Sequence, residues 1–342
     1  MEQPKIMLDN IGAQVAAWLR EQSSSGNEVL IGEMIRTIIK LAADGTSRGE
    51  LKILNRALKE LRNAFKVFAP YSAVRKVSVF GSTHIKEDDP YYHLARDLAQ
   101  RLAQEGLMVI TGAGPGIMQA GHEGAGPENS FGVNIRLPAV QQANRFIKDD
   151  AKLMSFHFFF TRKLMFVKEA DAVVIFPGGF GTHDELSESL TLAQTGKTQI
   201  VPIILMDLPG QAYWKAWERF LREAVLSRNY ISGQEFSFFK IIDNVDDAVA
   251  EIKTFYRNFH SYRFVRHDLV IRLNHPPAPT LVGALNQAFG DVLKGGKITQ
   301  TDPLADEADD PSTLHLHRVL VPFNREDFAR LRQMIDVINR ED

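Results

Sequence analysis

Two stretches near the start of the chain have apolar residues at helical spacing. In NEVLIGEMIRTIIKLAADG (27–45) the apolar side chains recur every three or four residues, and the pattern stops at Gly45. SRGELKILNRALKELRNAFKVF (47–68) repeats the spacing before Pro70. The pattern predicts an N-terminal helical extension over residues 1–72. Both apolar faces are wide for helices in water, so we expect them to pack on the next domain or on a second subunit.

From Val74 to about Phe259 short apolar runs alternate with amphipathic helical segments. The six runs are VRKVSVFG, LMVITG, FGVNIRLP, AVVIFPGG, VPIILMD and FFKIID. Continuous β-branched runs with helices between them are typical of a parallel sheet covered on both faces. The pattern predicts a doubly wound, Rossmann-like α/β domain over residues 73–260, with its ligand site beyond the carboxyl ends of the strands.

The last part of the chain, residues 261–342, has a different pattern. YRFVRHDLVIRLN predicts a strand, TLVGALNQAFGDVLKGG a helix, KITQTD a short strand, TLHLHRVLVPF a further strand and REDFARLRQMIDVINR a closing helix. The acidic segment DPLADEADDPS predicts a solvated loop. This β-α-β-β-α order suggests a separately packed α+β module. It could receive an anionic effector on its basic strand, or serve only packing and oligomerisation.

The amino-acid composition limits the classes of protein to which this chain can belong. The chain has 342 residues, 44% of them hydrophobic and 24% charged, which fits a globular protein of about two domains. A net charge of −2 gives no argument for nucleic acid or an anionic membrane. The absence of cysteine excludes disulfides and thiolate chemistry. No apolar run reaches the ~18 residues of a membrane span, and no secretory signal is visible, so we expect a cytoplasmic protein without membrane contact.

Three strand ends carry glycine-rich loops: FGST (80–83), TGAGPGIM (111–118) and FPGGFGTHDE (176–185). Glycine lets a ligand approach the backbone, and a following helix N-terminus suits a phosphate. A single loop of this kind is equally consistent with a tight turn that binds no ligand and with an anion site. Three such loops at successive strand ends favour the anion site. Ile117 stands where a dinucleotide fingerprint needs glycine, so NAD is disfavoured and a single phosphate is expected. We expect no cofactor and no metal.

Charged residues lie next to the third loop. Arg162 follows an aromatic stretch on a predicted helix and suits contact with an anion or a carboxylate. Lys163 can have a functional role or can be an ordinary solvated lysine, and the sequence is equally consistent with both. Thr182 can cap the helix after the loop, and its spacing from Glu185 is also that of a capping box, in which the glutamate folds back on the helix start.

These residues together resemble one known family. The segment 177–185, PGGFGTHDE, is similar to the P-G-G-x-G-T-x-x-E signature of the LOG ("Lonely Guy") proteins, and Arg162-Lys163 resembles the R-K pair upstream of it. The other two glycine loops also match, and the resemblance spans about residues 74–258. LOG proteins are cytokinin-activating nucleoside 5′-monophosphate phosphoribohydrolases, long mislabelled lysine decarboxylases. The terminal extensions resemble those of longer bacterial members, which are related in function to nucleotide 5′-monophosphate nucleosidases.

The resemblance implies hydrolysis of the N-glycosidic bond of a nucleoside 5′-monophosphate, giving free base and ribose 5-phosphate. Carried over by position, Arg162 and Glu185 are the catalytic pair. The residues implied in substrate binding are Ser82, Gly114, Gly116, Met118, Lys163, Gly178, Gly179, Gly181 and Thr182. The resemblance also implies a homodimer or a higher homo-oligomer.

Further expectations concern the chemistry. A carboxylate at Glu185 can stabilise an oxocarbenium-like ribose or activate water, and we expect Arg162 to keep it ionised. Ala113 stands where the family often has a third glycine, and we expect an ordinary backbone conformation there because alanine resists positive φ.

The alternative function is a non-catalytic nucleotide or molybdenum-cofactor carrier of the same fold. Arg162 and Glu185 together favour the enzyme, but the preferred nucleobase, and whether cytokinin nucleotides are substrates, stay open.

Overall fold

The computed structural model describes residues 13–15, 17, 18, 21, 27–137 and 142–340. The chain divides into two compact units, Met1–Leu61 and Arg62–Asp342. The two helices predicted near the start are present as α1 (Glu28–Ala43) and α2 (Arg48–Phe68). Gly45 follows α1 with φ of +70° and so ends that helix. The rest of the predicted N-terminal extension lies largely outside the described residues.

The larger unit is built on a seven-stranded parallel sheet. The strands are β1 (Lys76–Phe80), β2 (Met108–Thr111), β3 (Ser130–Ile135), β4 (Leu153–Phe156), β5 (Ala172–Ile175), β6 (Ile203–Met206) and β7 (Phe239–Ile242). Their order across the sheet is β4-β3-β2-β1-β5-β6-β7. In register, Ser78 of β1 lies between Ile110 and Val173. The chain reverses direction across the sheet between β1 and β5, which places the switch point of this doubly wound fold there.

Within the described part of the chain, six helices flank the sheet, and this arrangement confirms the predicted α/β fold. They are α3 (Pro90–Gln104), α4 (Ile117–Ala125), α5 (Phe159–Glu169), α6 (Phe180–Gln194), α7 (Tyr213–Phe220) and α8 (Val245–Phe255). Helices α3, α4 and α8 bury one face of the sheet through residues such as Leu98 and Ile252. On the other face Phe166 of α5 packs on Phe80, with ring centroids 4.8 Å apart.

One strand of this sheet was not predicted. β4 pairs with β3 at the sheet edge, with Phe156 opposite Ile135. It has four residues and runs directly into an aromatic stretch, so its pattern is indistinguishable from the helix that follows.

The second sheet has four antiparallel strands in the order β10-β11-β9-β8. Its strands are β8 (Phe259–Val265), β9 (Asp268–Leu273), β10 (Thr299–Thr301) and β11 (His317–Val321), and its helices are α9 (Leu281–Ala288) and α10 (Phe328–Arg340). The expected single strand over 262–274 is wrong: Arg266 has φ of +54° and turns the chain into a hairpin. The order is therefore β-β-α-β-β-α. The turn lacks the glycine or asparagine that marks most tight hairpins.

The C-terminal elements share one hydrophobic core with the end of the parallel-sheet domain. Leu331 and Met334 of α10 are fully buried in a cluster that also contains Phe238 and Phe255. The expectation of a solvated acidic loop is wrong at one position, because Glu307 is fully buried.

Candidate active site

The three glycine loops meet at the carboxyl ends of β1 and β5. The backbone N–H of Ser82 donates to Pro177 O (3.1 Å), and the N–H of Ile117 donates to Ser82 O (3.1 Å). Gly116 has φ of +69°, and a Cβ there would stand 2.3 Å from Ser82 O. The second loop can therefore lie against the first only because this position is glycine.

An open cleft of about 340 Å³ lies over these loops. Its lining residues are Phe80, Gly81, Ser82, Thr83, His84, Met118, Ile135, Leu137, Phe159, Arg162, Gly179, Gly181, Thr182, Asp184 and Glu185. The structure thus brings together seven of the residues predicted from sequence: Ser82, Met118, Arg162, Gly179, Gly181, Thr182 and Glu185. A volume of this size suits a small-molecule ligand.

The other four residues predicted for the site do not line the cleft. Gly114 and Gly116 are buried in the second loop, and Gly178 packs against Thr182. Lys163 lies among carboxylates and is described below. These four residues are not among those that line the cleft.

The start of α6 differs from the expected cap. The helix begins at Phe180 with Gly179 as its N-cap, and the N–H groups of Thr182 and His183 both donate to Gly179 O, at 3.0 and 3.2 Å. Thr182 is therefore the third residue of the helix, and both the Thr182 cap and the capping box are wrong. Consequently the Glu185 side chain is not committed to the helix start. The first N–H groups of a helix have no partner within it, so α6 presents free donors at the cleft.

The hydroxyl group of a tyrosine holds the third loop in place. The Tyr213 hydroxyl donates to Gly178 O at 2.5 Å and lies 2.8 Å from His183 Nε2. Tyr213 thereby links the residue before the helix cap to the first turn of α6. Sequence reasoning missed Tyr213, because it lies 35 residues after Gly178 in the chain.

The Arg162 side chain extends from α5 to the cleft, and contacts with two other residues hold it in position. Its Nε donates to Val133 O at 2.8 Å, and its guanidinium lies 5.0 Å from the centre of the Phe166 ring. A Cβ at Gly112 would stand 2.3 Å from Arg162 Nη2, so Gly112 provides the space that this side chain occupies. Burial lowers the pKa of Arg162, while the charge of Glu185 raises it.

Glu185 lies on the inner side of α6 and is 7% exposed. Burial raises the pKa of Glu185 to about 7, although the charges of Lys163 and Arg162 act in the opposite direction. The neighbouring carboxylates of Glu188 and Asp184 add to the rise. Arg162 thus favours the ionised form of Glu185, as expected, but desolvation outweighs the attraction of the two cations and keeps the pKa above its ordinary value.

The second loop has a strained residue and its own support. Ala113 has φ of +60°, so the expected ordinary conformation is wrong. The backbone N–H of Asn144 donates to Ala113 O (2.8 Å), and its side-chain amide donates to Gly114 O (3.0 Å). The buried His122 contacts Asn144 and Phe131 O, and burial lowers the pKa of His122 to about 4. These contacts hold the left-handed conformation that alanine alone disfavours.

The aromatic stretch before Arg162 divides between core and cleft. Phe156 is buried in β4, whereas Phe159 is 53% exposed and lines the cleft. Phe158 and Phe160 stack on each other with centroids 5.3 Å apart. The apolar lining of the cleft includes Phe159, Met118 and Ile135.

No cluster of three or more histidine and carboxylate side chains that could hold a metal ion is present in the described parts of the chain. None of the helices among the described residues is both long and apolar enough to cross a membrane.

Residues 113–252 match a family model described as "possible lysine decarboxylase". A probable cytokinin riboside 5′-monophosphate phosphoribohydrolase of Arabidopsis thaliana, LOG6, is 29% identical over 160 residues, which are 45% of this chain and 76% of that protein. The pyrimidine/purine nucleotide 5′-monophosphate nucleosidase of Escherichia coli K12 is 28% identical over 179 residues, which are 49% of this chain and 39% of that protein. These matches confirm the resemblance to the LOG family for the part of the chain that they cover.

A solved structure of the molybdenum cofactor carrier protein from Chlamydomonas reinhardtii is 17% identical and has a TM-score of 0.37. The similarity covers 53% of this chain and 96% of that one. At this TM-score the likeness gives no support to either function.

Proposed function

We propose that this protein hydrolyses the N-glycosidic bond of nucleoside 5′-monophosphates to free base and ribose 5-phosphate. The observation that carries the proposal is that Arg162 and Glu185 line one cleft together with the glycine-rich start of α6. The relatives named for phosphoribohydrolase and nucleosidase activity support it.

The 5′-phosphate would bind at the start of α6. Free N–H groups and the positive end of the helix dipole favour an anion there. Ser82 and Thr182 both line the cleft, and a hydroxyl group can donate to a phosphate oxygen. A Cβ at Gly179 or Gly181 would meet no atom within 4 Å, so both glycines leave their backbone open to the ligand.

The ribose would lie between Arg162 and Glu185. In this proposal the ionised Glu185 accepts a proton from water as the water oxygen bonds to C1′. The C1′–N bond breaks, its electron pair passes to the base nitrogen, and that nitrogen takes up the proton that Glu185 returns. Since burial raises the pKa of Glu185 to about 7, this carboxyl can both take and return a proton near neutral pH. Arg162 would hold the sugar hydroxyls and stabilise the ionised form of Glu185.

The base would lie against the apolar part of the cleft. Met118 and the exposed ring of Phe159 offer apolar surface for a planar heterocycle. We propose ordinary nucleoside monophosphates and cytokinin riboside monophosphates as the substrates to compare.

The test is chromatography of free base released from a panel of nucleoside 5′-monophosphates, together with the matching nucleosides. We expect release from at least one monophosphate and much slower release from its nucleoside. Glu185→Gln should reduce turnover by at least 10²-fold, the range of a positioned acid or base, while circular dichroism stays unchanged. Full activity of Glu185→Gln would remove Glu185 from the mechanism.

A non-catalytic carrier is the second candidate, because the same glycine loops could hold a phosphate without chemistry. It predicts tight binding of a nucleotide or cofactor phosphate, measured by calorimetry, with no base released on prolonged incubation. We also propose a homo-oligomer, to be checked by light scattering.

A further inference from the structure

Lys163 lies at the centre of three carboxylates. Its Nζ is 2.8 Å from Glu188 Oε2, 3.0 Å from Asp184 Oδ2 and 3.8 Å from Glu185 Oε2. The Lys163 side chain is only 14% exposed, and it does not line the cleft. An ammonium group has three protons to donate, and two carboxylates lie at hydrogen-bonding distance. This arrangement leaves little of Lys163 for a phosphate.

The charges of this cluster do not balance. Arg162 and Lys163 from α5 face Asp184, Glu185 and Glu188 from α6, and these are the charged groups that act on Glu185. With all three carboxyl groups ionised the cluster carries one net negative charge. One added proton makes it neutral.

The added proton belongs on Glu185. The side chains of Asp184 and Glu188 are 60% and 31% exposed, and both lie closer to Lys163, whereas the Glu185 side chain is 9% exposed. Burial penalises the ionised form of a carboxyl most where water is most completely excluded. Glu188 and Asp184 also compete with Glu185 for the charge of Lys163.

We infer that Lys163 is a positioning residue that sets, together with Asp184 and Glu188, the pH at which Glu185 exchanges its proton. In this role Lys163 acts through Glu185 and does not bind the nucleotide. The inference deepens the proposed function and rests on it as far as turnover is concerned. The proton exchange itself can be measured without turnover.

The direct experiment is a ¹³C NMR titration of the full-length chain labelled at glutamate carboxyl carbons. Glu185→Gln identifies the Glu185 resonance. We expect its midpoint near neutral pH in the parent chain. In Lys163→Met the midpoint should rise by one pH unit or more, because a nearby positive charge is lost. In Glu188→Gln it should fall, because a negative charge is lost.

Two variants serve as controls. Lys163→Arg keeps the charge and should leave the midpoint close to that of the parent. Lys168→Met removes a lysine of the same helix that pairs with Glu169 and is 51% exposed, and it should leave the midpoint unchanged. If circular dichroism shows that Lys163→Met does not fold, two midpoints decide the inference. The Glu185 midpoint must fall in Glu188→Gln and stay at the parent value in Lys163→Arg.

Kinetics provide the second measurement. If the nucleotide is hydrolysed, the acidic limb of the pH profile of kcat should move upward in Lys163→Met with KM changed less than threefold. An unmoved NMR midpoint in Lys163→Met, or a KM raised tenfold or more with an unmoved acidic limb, would overturn the inference. If no monophosphate is hydrolysed, the proposed function fails, while the NMR midpoints still decide the role of Lys163.

Discussion

At the level of single residues, the protonation of Glu185 is the property with the widest consequences. The carboxyl group is almost fully buried, and its pKa lies near 7 instead of its ordinary 4.5. A carboxyl whose pKa is raised by folding prefers to be protonated in the folded chain. The ionised form therefore costs stability, and this cost grows as the pH rises from 4.5 to 7 and is constant above that.

Replacing Glu185 by glutamine should therefore stabilise the protein in a pH-dependent way. We expect a gain of about 1–3 kcal/mol at pH 8 and a gain near zero at pH 4.5. Urea unfolding at the two pH values measures the difference. The exposed Glu223→Gln is the matched control and should show no such dependence. Equal effects of Glu185→Gln at both pH values would contradict the raised pKa.

Gly112 is a second residue with a defined role, because it leaves room for Arg162. Its neighbours at the position of an added Cβ are Arg162 Nη2 at 2.3 Å and Met118 Sδ at 2.6 Å. Both atoms belong to flexible side chains that can move away. Gly112→Ala should therefore displace the guanidinium while the backbone stays in place.

For Gly112→Ala we expect a loss of nucleotide turnover of about 10²-fold, since small misplacements of a catalytic group have effects of this size. The melting temperature should change by only a few degrees. Gly283→Ala, on a helix where an added Cβ meets nothing within 4 Å, is the control. A fully active Gly112→Ala would show that the position of Arg162 is not critical.

At the level of elements, the start of α6 depends on an aromatic residue from α7. Tyr213 holds Gly178 O and contacts His183, so it fixes the loop just before the N–H groups that the proposal assigns to phosphate. The loop itself contains three glycines and has little intrinsic rigidity.

Tyr213→Phe should loosen this loop. We expect a stability loss of about 1–2 kcal/mol from the lost hydrogen bonds and a KM for the nucleotide raised about 3- to 10-fold. Steady-state kinetics and thermal unfolding measure both effects. Tyr230→Phe removes a hydroxyl from a tyrosine that is 69% exposed and should change neither. A KM that stays at the parent value would place the phosphate elsewhere.

At the level of the whole molecule, a buried ionic group ties the second sheet to the acidic segment. Glu307 accepts from Arg272 Nη2 (2.8 Å) and from Arg318 Nε (2.8 Å), and both Glu307 and Arg318 are fully buried. Removing one member of such a group leaves buried charges without compensation.

Glu307→Gln should therefore destabilise the chain by about 3–5 kcal/mol. Asp306→Asn is a matched control in the same segment, because Asp306 and its partner Arg266 are both exposed, and it should cost less than about 1 kcal/mol. Denaturant unfolding compares the two variants. Similar losses in both would mean that burial of this group does not matter.

The sequence determined much of the architecture and the chemical identity of the candidate site. Hydrophobic periodicity located the two N-terminal helices, the two C-terminal helices and six of the seven parallel strands, because those runs are bounded by glycine, proline or polar turns. The glycine loops and the positions of Arg162 and Glu185 were also readable, since the spacing of a motif is a local property. β4 and the hairpin at Arg266 were missed because neither carries a turn signal of its own.

The tertiary structure alone decided the electrostatics and the support of the site. The pKa of Glu185 depends on burial and on Lys163, which lies 22 positions earlier in the chain. The left-handed Ala113 depends on Asn144, and the space for Arg162 depends on Gly112. Burial and distances between residues remote in sequence arise only when the chain is folded, and no local pattern encodes them.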